Sequence, residues 1–213
     1  MKITRDKIKN AVNCAQQVLK QPEVYARDEG KLAISVDAVT DYISEHCSVN
    51  IEIREVVFDA VHLKGRKETY NDGRVIIEIR SNLSDFWKRF AALKELMHIL
   101  VDKDEDDLTP YGDVILEKLV LEGHIGILSG NGDEAPAQSE LVAEIAAIEV
   151  IYPVDRRHAD RNALASEDSE ITMSQLGLRY EAPGPIVSTA LNEEYLTFII
   201  TALSREEDQA EPV

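Results

Sequence analysis

The chain has 213 residues, of which 44% are hydrophobic and 30% are charged, and no apolar run approaches the roughly 20 residues of a membrane span. The net charge of −17 argues against a nucleic-acid or anionic-membrane partner, because phosphate binding needs clustered Lys and Arg side chains. The two cysteines form neither a disulfide framework nor a zinc quartet, and no signal peptide is evident, so we expect a cytoplasmic protein.

Two helices are predicted in the N-terminal part. Apolar residues at helical spacing predict the first over residues 3–21, which ends because the residue before Pro22 is pushed out of the helical region. A polar connector follows at 26–31. Ser35 is the expected N-cap of a second helix that runs to Cys47.

A small sheet follows these helices. Apolar residues alternate in the manner of strands over 49–58, 61–70 and 74–80. The turn signal Asn71-Asp72-Gly73 precedes the last strand, because these residue types tolerate the positive φ of tight hairpins. We therefore expect a small antiparallel sheet that leads directly into the next helix.

The central helix is predicted over residues 86–102. Its apolar stripe falls at spacings of four and three, in Phe86, Phe90, Leu93, Met97 and Leu100. At roughly 100° per residue, Lys94, His98 and Asp102 share one arc of the helix surface, and Glu95 lies at its edge. Most of the remaining surface is apolar, so the helix is expected to be buried and its charged cluster either paired or functional.

The C-terminal half is predicted to be helical. A solvated acidic loop at 103–107 precedes a helix that opens at Thr109-Pro110, and Ser139 is the expected N-cap of a helix stopped by Pro153. Helices are then predicted over 155–164, 170–176 and 186–204, the last broken near Asn192. Residues 177–185 resemble the turn of a helix-turn-helix, and 205–213 form an acidic tail.

The segment from Lys94 to His98 resembles the His-Glu-x-x-His helix of the ImmA/IrrE family of zinc metallopeptidases, with lysine in place of the first histidine. The segment from Glu140 to Pro153 resembles the second signature of that family, a helix that opens with Glu and closes with Pro. The resemblance implies that Glu95 is the general base, that His98 and Glu140 are zinc ligands, and that Lys94 stands at the first-ligand position.

The resemblance runs from about Ser35 to Pro153, and residues 103–137 look like an insertion between the two signatures. It implies an α+β fold, with a small antiparallel β-sheet packed on a mainly helical zincin-like body and C-terminal helices that resemble a helix-turn-helix. We divide the chain into a metallopeptidase-like domain (1–153), a helical C-terminal part (154–204) and the tail.

Lys94 changes what such a site could do. Deprotonating its ammonium for metal ligation costs roughly 4 to 5 kcal/mol at neutral pH, and left charged it repels the metal. Besides His98 and Glu140, the further candidate ligands are Asp102, which we expect to be solvated, and the side chains of His62 and His124. We expect a metal affinity far below that of an intact site. We also hypothesise that Lys94 replaces the metal as the internal cation, pairing with Glu140 or Asp102.

Each candidate residue also has an ordinary structural interpretation. An acid such as Glu140 is favoured near a helix N-terminus, and His98 alone would be a core histidine. Glu95 could be a surface acid at the helix margin. Trp87 could line a cleft or complete the core.

These observations favour a metallopeptidase-fold regulatory protein with weakened or lost zinc-dependent proteolysis, which acts on or binds a repressor-type regulatory protein. The first alternative is an active zinc endopeptidase with a replaced first ligand. The second is a DNA-binding regulator that uses the C-terminal helices, where Arg179 is the one cation available in the turn region.

Overall fold

The computed structural model describes residues 3–25, 32–60, 63–102, 135–166 and 171–204. The predicted connector at 26–31, the acidic loop and helix between residues 103 and 125, and the C-terminal tail lie outside these ranges. Within them the chain is α+β, as predicted, with a small sheet on a mainly helical body.

Two N-terminal helices confirm the sequence prediction. Helix α1 (Arg5–Leu19) begins after Thr4, whose side chain accepts a hydrogen bond from the Lys7 amide. A short 3-10 helix, Pro22–Val24, follows. Helix α2 (Val36–Cys47) has Ser35 as its N-cap, and the Ser35 hydroxyl accepts from the Ala38 amide.

Among the described residues the sheet has three strands, β1 (Asn50–Val56), β2 (Gly65–Thr69) and β3 (Arg74–Arg80), with β3 in the middle. Strands β2 and β3 form an antiparallel hairpin, and its turn contains Gly73 at φ 83°. Strand β1, however, pairs with β3 in parallel, so the sheet is mixed rather than antiparallel throughout. β3 is the most apolar and most buried strand, and it takes the central position. Because β1 and β2 run in opposite directions on either side of β3, one of them pairs with it in parallel.

Two long helices pack against each other, and the first of them also packs against the sheet. Helix α3 (Asp85–Val101) begins after Ser84, and helix α4 spans Ala135–Ile151. The expectation that Ser139 is the N-cap of α4 is wrong, because the helix begins four residues earlier, with a proline in its first turn where the missing N–H costs nothing. Glu140 therefore lies in the second turn of α4.

In the C-terminal part the residues that the structure describes form four shorter helices, α5 (Val154–Ala165), α6 (Met173–Tyr180), α7 (Gly184–Leu191) and α8 (Glu193–Ser204). Helix α6 continues four residues past its predicted end and stops where Glu181 adopts a left-handed conformation at φ 47°. The predicted break near Asn192 is confirmed.

One hydrophobic cluster joins the helices from both parts of the chain to the inner face of β3. Its fully buried members include Val12, Ile77, Leu93, Ile148 and Ile199. None of the helices in the described ranges is long and apolar enough to cross a membrane.

Candidate functional site

Helix α3 places three polar side chains one above the other. Lys94, His98 and Asp102 are four residues apart, so they lie on one side of the helix, and Asp102 is also the C-cap. His98 is 4% exposed. Its Nδ1 atom lies 2.8 Å from Oδ2 of Asp102, a contact that orients the imidazole ring.

Helix α4 brings Glu140 against this row. The Nζ atom of Lys94 donates to Oε2 of Glu140 at 2.5 Å. The other carboxylate oxygen, Oε1, lies 3.4 Å from Nε2 of His98, which is an ion-pair distance rather than a close hydrogen bond. The structure thus brings together Lys94, His98 and Glu140, the residues that the sequence singled out from two separate motifs.

Ser139 belongs to the same cluster, which its expected capping role did not suggest. Its hydroxyl donates to Oδ1 of Asp102 at 2.8 Å and lies 3.3 Å from Nδ1 of His98. Asp102 and Ser139 thus approach the same ring nitrogen. In a nucleophilic triad the serine and the acid lie on opposite nitrogens of the histidine, so this arrangement does not activate Ser139.

Asp102 is not the solvated acid that the sequence favoured. Its side chain is 20% exposed and also lies 3.8 Å from Nζ of Lys67 on β2. Burial raises the pKa of Asp102, but the hydrogen bond from His98 and the charge of that ring outweigh it, so the pKa is lowered. Asp102 therefore acts as a charged partner for His98.

The pKa shifts at the centre follow from the same contacts. Burial lowers the pKa of His98, but its contacts with Asp102 and Glu140 prevail and raise the pKa to about 9. Burial alone would raise the pKa of Glu140, yet Lys94 and His98 hold it well below its usual range. Burial also opposes the charge on Lys94, and the carboxylates of Glu140 and Glu95 overcome it, so the pKa of Lys94 is raised.

Glu95 lies beside Lys94, with its Oε1 atom 3.5 Å from Nζ. It is 4% exposed, so the alternative that Glu95 is a surface acid at the helix margin is wrong. Strand β2 covers it at Gly65, where a Cβ atom would lie 3.2 Å from Cγ of Glu95. The glycine is the residue that lets β2 approach the helix so closely, and sequence patterns gave no sign of this contact.

The described residues do not fit a zinc ion. No group of three His, Cys, Asp or Glu side chains in the described ranges is arranged to hold a metal. Of the two candidate ligands from the motifs, Glu140 pairs with Lys94, and His98 pairs with Asp102 through Nδ1. Nε2 of His98 is buried and has no hydrogen-bond partner among the described residues. His62 and His124, which could have completed a site, lie outside the described residues.

A shallow cavity of about 230 Å³ opens beside the cluster, between α1, the end of α3 and α4. Asp102 and Ser139 form its wall on the side of the cluster. Its remaining lining is mixed polar and aliphatic, from Asp6, Lys7, Asn10, Val101 and Val142.

Comparison with known proteins adds little. No protein-family model and no curated protein matches this chain. A solved structure of a Mycobacterium tuberculosis transcriptional regulator is similar at a TM-score of 0.45 and 13% sequence identity, over 86% of this chain and 48% of that one. The chain thus spans about half the length of that regulator, and a similarity at this level assigns no function.

Proposed function

We propose that this chain is a cytoplasmic regulatory protein on an ImmA/IrrE-type metallopeptidase scaffold, which has lost zinc-dependent proteolysis and binds a repressor-type regulatory protein. The observation that carries the proposal is the ion pair of Lys94 and Glu140, with Nζ and Oε2 2.5 Å apart. The family resemblance makes both positions zinc ligands, yet here the two side chains satisfy each other.

The charges of the cluster balance without a metal. A positive charge on Lys94 faces Glu140 and Glu95, and protonated His98 faces Asp102 and Glu140. With Lys67 counted, the cluster contains three basic and three acidic side chains, which are Lys67, Lys94, His98, Glu95, Asp102 and Glu140. A zinc ion would add two positive charges to an arrangement that is already neutral, at a cost of several kcal/mol.

The protonation of His98 supports the same conclusion. A histidine must be neutral to bind a metal, because the ligating nitrogen needs its lone pair. Its contacts with Asp102 and Glu140 raise the pKa of His98 to about 9, so the imidazolium form prevails at neutral pH. Zinc binding would therefore have to displace a proton from His98 as well as from Lys94.

The position of Glu95 argues against the active-peptidase alternative. A general base must come within hydrogen-bond reach of the water that it activates. Glu95 is 4% exposed, and its carboxylate lies between Gly65 on β2 and the ammonium of Lys94. In this arrangement Glu95 acts as a counter-charge for Lys94.

The test of the lost metal site is the zinc content of protein purified without chelator. We expect the natural chain to contain far less than one zinc per molecule and Lys94→His to contain close to one, because the substitution removes the internal cation and restores a ligand. The matched control is Lys88→His on the same helix, where the lysine pairs with Glu55 at the surface, and it should stay as empty as the natural chain. Near-stoichiometric zinc in the natural chain, abolished by His98→Ala, would overturn the proposal.

The binding half of the proposal needs a protein probe. A purified repressor-type DNA-binding protein is mixed with the natural chain, and complex formation is followed by light scattering and cleavage by gel electrophoresis. We expect a complex without cleavage. Cleavage that is abolished both by a chelator and by Glu95→Gln would instead identify an active peptidase.

A further inference from the structure

Strand β1 lies at an edge of the sheet. The strand order is β1-β3-β2, so in the part of the chain that the structure describes β1 has a neighbouring strand on one side only. A free edge presents unpaired N–H and C=O groups, which are a template for pairing with another strand. Proteins usually protect such an edge by a very short strand or a proline, but β1 has seven residues and contains no proline.

The hydrogen bonds to β3 show which backbone groups of β1 point away from the sheet. The Asn50 amide donates to the Gly73 carbonyl oxygen at 2.9 Å, and the Val56 carbonyl oxygen accepts from the Ser81 amide at 2.8 Å. Backbone groups of alternate residues in a strand point to the same side, so the even-numbered residues of β1 bond to β3. The outward N–H and C=O groups belong to Ile51, Ile53 and Glu55.

The exposed charges of β1 cancel locally. The Glu52 and Arg54 side chains are 58% and 47% exposed, and Nη2 of Arg54 lies 2.5 Å from Oε2 of Glu52. Glu55 pairs with Lys88 of α3 at 2.7 Å. In a chain with a net charge of −17, this edge is therefore a place that a second copy can approach without local repulsion.

We infer that β1 is a dimerisation edge, at which the β1 strands of two copies of this chain pair antiparallel about a two-fold axis at Ile53. In this register Ile53 lies opposite Ile53 of the second copy, and Ile51 lies opposite Glu55 of the second copy. Every outward N–H and C=O group of β1 then has a partner. The contact is closed, because each copy uses the same edge and leaves none free for a third.

Charge selects this register over its neighbours. With the axis at Ile53, Glu52 of each copy lies directly opposite Arg54 of the other, and opposite charges in such cross-strand positions are stabilising. An axis moved by one residue in either direction still pairs the backbones. It places Glu52 opposite Glu52, or Arg54 opposite Arg54, and both arrangements are destabilising.

An exposed apolar residue next to β1 fits the same pairing. Val57 directly follows the strand and is 85% exposed, the highest value among the large hydrophobic residues that the structure describes. Continuing the register places Val57 opposite Val49 of the second copy, and Val49 packs against the hydrophobic core. Dimerisation would therefore bring apolar contact to Val57, and it does not depend on whether the charged cluster around Lys94 binds zinc.

The experiment is sedimentation velocity of the full chain from low to high micromolar concentration. We expect a reversible equilibrium between a 23.8 kDa monomer and its dimer. Glu52→Arg and Arg54→Glu should each raise the dissociation constant at least about tenfold, because each places like charges opposite one another at two positions. The matched control is Arg74→Glu, which makes the same charge change in an exposed pair with Asp72 away from this edge and should leave the dissociation constant unchanged.

Mixing the two single variants separates contact across the interface from damage to the strand. In a mixed dimer the introduced arginine of one copy lies opposite the introduced glutamate of the other, and Arg54 of the first lies opposite Glu52 of the second. The mixture should therefore form dimers at concentrations where each variant alone, with an unchanged circular dichroism spectrum, is monomeric. A natural chain that stays monomeric would overturn the inference. A dimer that both variants leave intact, or a mixture that does not associate, would overturn it as well.

Discussion

The Nζ atom of Lys94 lies 2.5 Å from Oε2 of Glu140, and this ion pair joins α3 to α4 across 46 residues of sequence. The Lys94 side chain is 18% exposed and the Glu140 side chain 32% exposed, so the contact is partly buried between the two helices. An ion pair in such a position is costly to break, because the charge that remains is poorly solvated.

Replacing Lys94 with methionine should therefore destabilise the fold. Lys94→Met keeps the length of the side chain but leaves Glu140 without its main cation, and we expect a loss of about 2–4 kcal/mol in the free energy of unfolding. The measurement is urea denaturation followed by circular dichroism.

Two further variants separate this cause from lost packing. Lys88→Met removes a lysine from the surface pair with Glu55 and should cost no more than about 1 kcal/mol. Adding Glu140→Gln to Lys94→Met should recover part of the loss, because the remaining group is then neutral. A Lys94→Met protein as stable as the natural chain would show that Lys94 is not the internal cation.

Stability should also fall as the pH rises from neutral to alkaline. The folded chain holds the pKa of His98 at about 9, above the ordinary value of about 6.5 for an unfolded chain. The proton on His98 therefore stabilises the fold fully below about pH 6.5, and this contribution, on the order of 3 kcal/mol, is lost as the pH passes through the folded pKa. Denaturation curves across this range measure the effect.

The His98→Gln variant is the control for the pH dependence. Glutamine can still donate a hydrogen bond but does not titrate, so the decline in stability between neutral pH and about pH 9 should become much shallower. If the decline were the same in both proteins, another group would be responsible for it.

Gly65 should be sensitive to a single added methyl group. A Cβ atom there would lie 3.1 Å from Cδ1 of Ile79 and 3.2 Å from Cγ of Glu95, closer than packed carbon atoms normally approach. We expect Gly65→Ala to lower the free energy of unfolding by about 1–2 kcal/mol, as overpacking does. Gly184→Ala is the comparison, because apart from its chain neighbours nothing lies within 4 Å of its Cβ position. Its cost should be limited to the local preference of the residue before Pro185 and should be smaller than that of Gly65→Ala. Equal effects would mean that β2 has room to move away from Glu95.

The elements of this fold were largely predictable, because their signals are local. The Ser35 cap, the turn at Gly73 and the break near Asn192 each depend on a few neighbouring residues. The parallel pairing of β1 with β3 was not predictable in this way, since it depends on which strand the core buries most completely. The predicted start of helix α4 is four residues too far along the chain, because Ser139 has the residue type of an N-cap but not its position.

The candidate site was predictable where helical spacing determines it. Lys94, His98 and Asp102 come together because they are four residues apart. The partners that come from elsewhere in the chain could not be predicted. Lys67 approaches Asp102 from β2 and Gly65 covers Glu95, and neither contact has a sequence signature. Whether the site derives from a zinc peptidase stays a prediction.

A second buried ion pair lies away from the site and gives a further prediction. Arg157 on α5 has no exposed side-chain surface, and its Nη2 atom lies 2.5 Å from Oε2 of Glu149 on α4. The other oxygen of Glu149 accepts a hydrogen bond from the Val154 amide at 2.8 Å, at the start of α5. Arg157→Met leaves this carboxylate buried without a cation, and we expect a loss of about 3–5 kcal/mol in the free energy of unfolding.

The pH dependence of Arg157→Met identifies the unpaired charge as the cause. Burial already raises the pKa of Glu149 against the opposing charge of Arg157, and without that charge the carboxyl group should bind a proton more readily still. A raised pKa in the folded state means that the fold gains stability as the pH falls, so the deficit of Arg157→Met should shrink in mildly acidic solution. Adding Glu149→Gln should reduce the deficit at neutral pH while keeping an acceptor for Val154. A deficit that changes with neither pH nor Glu149→Gln would instead reflect the packing lost with the arginine side chain.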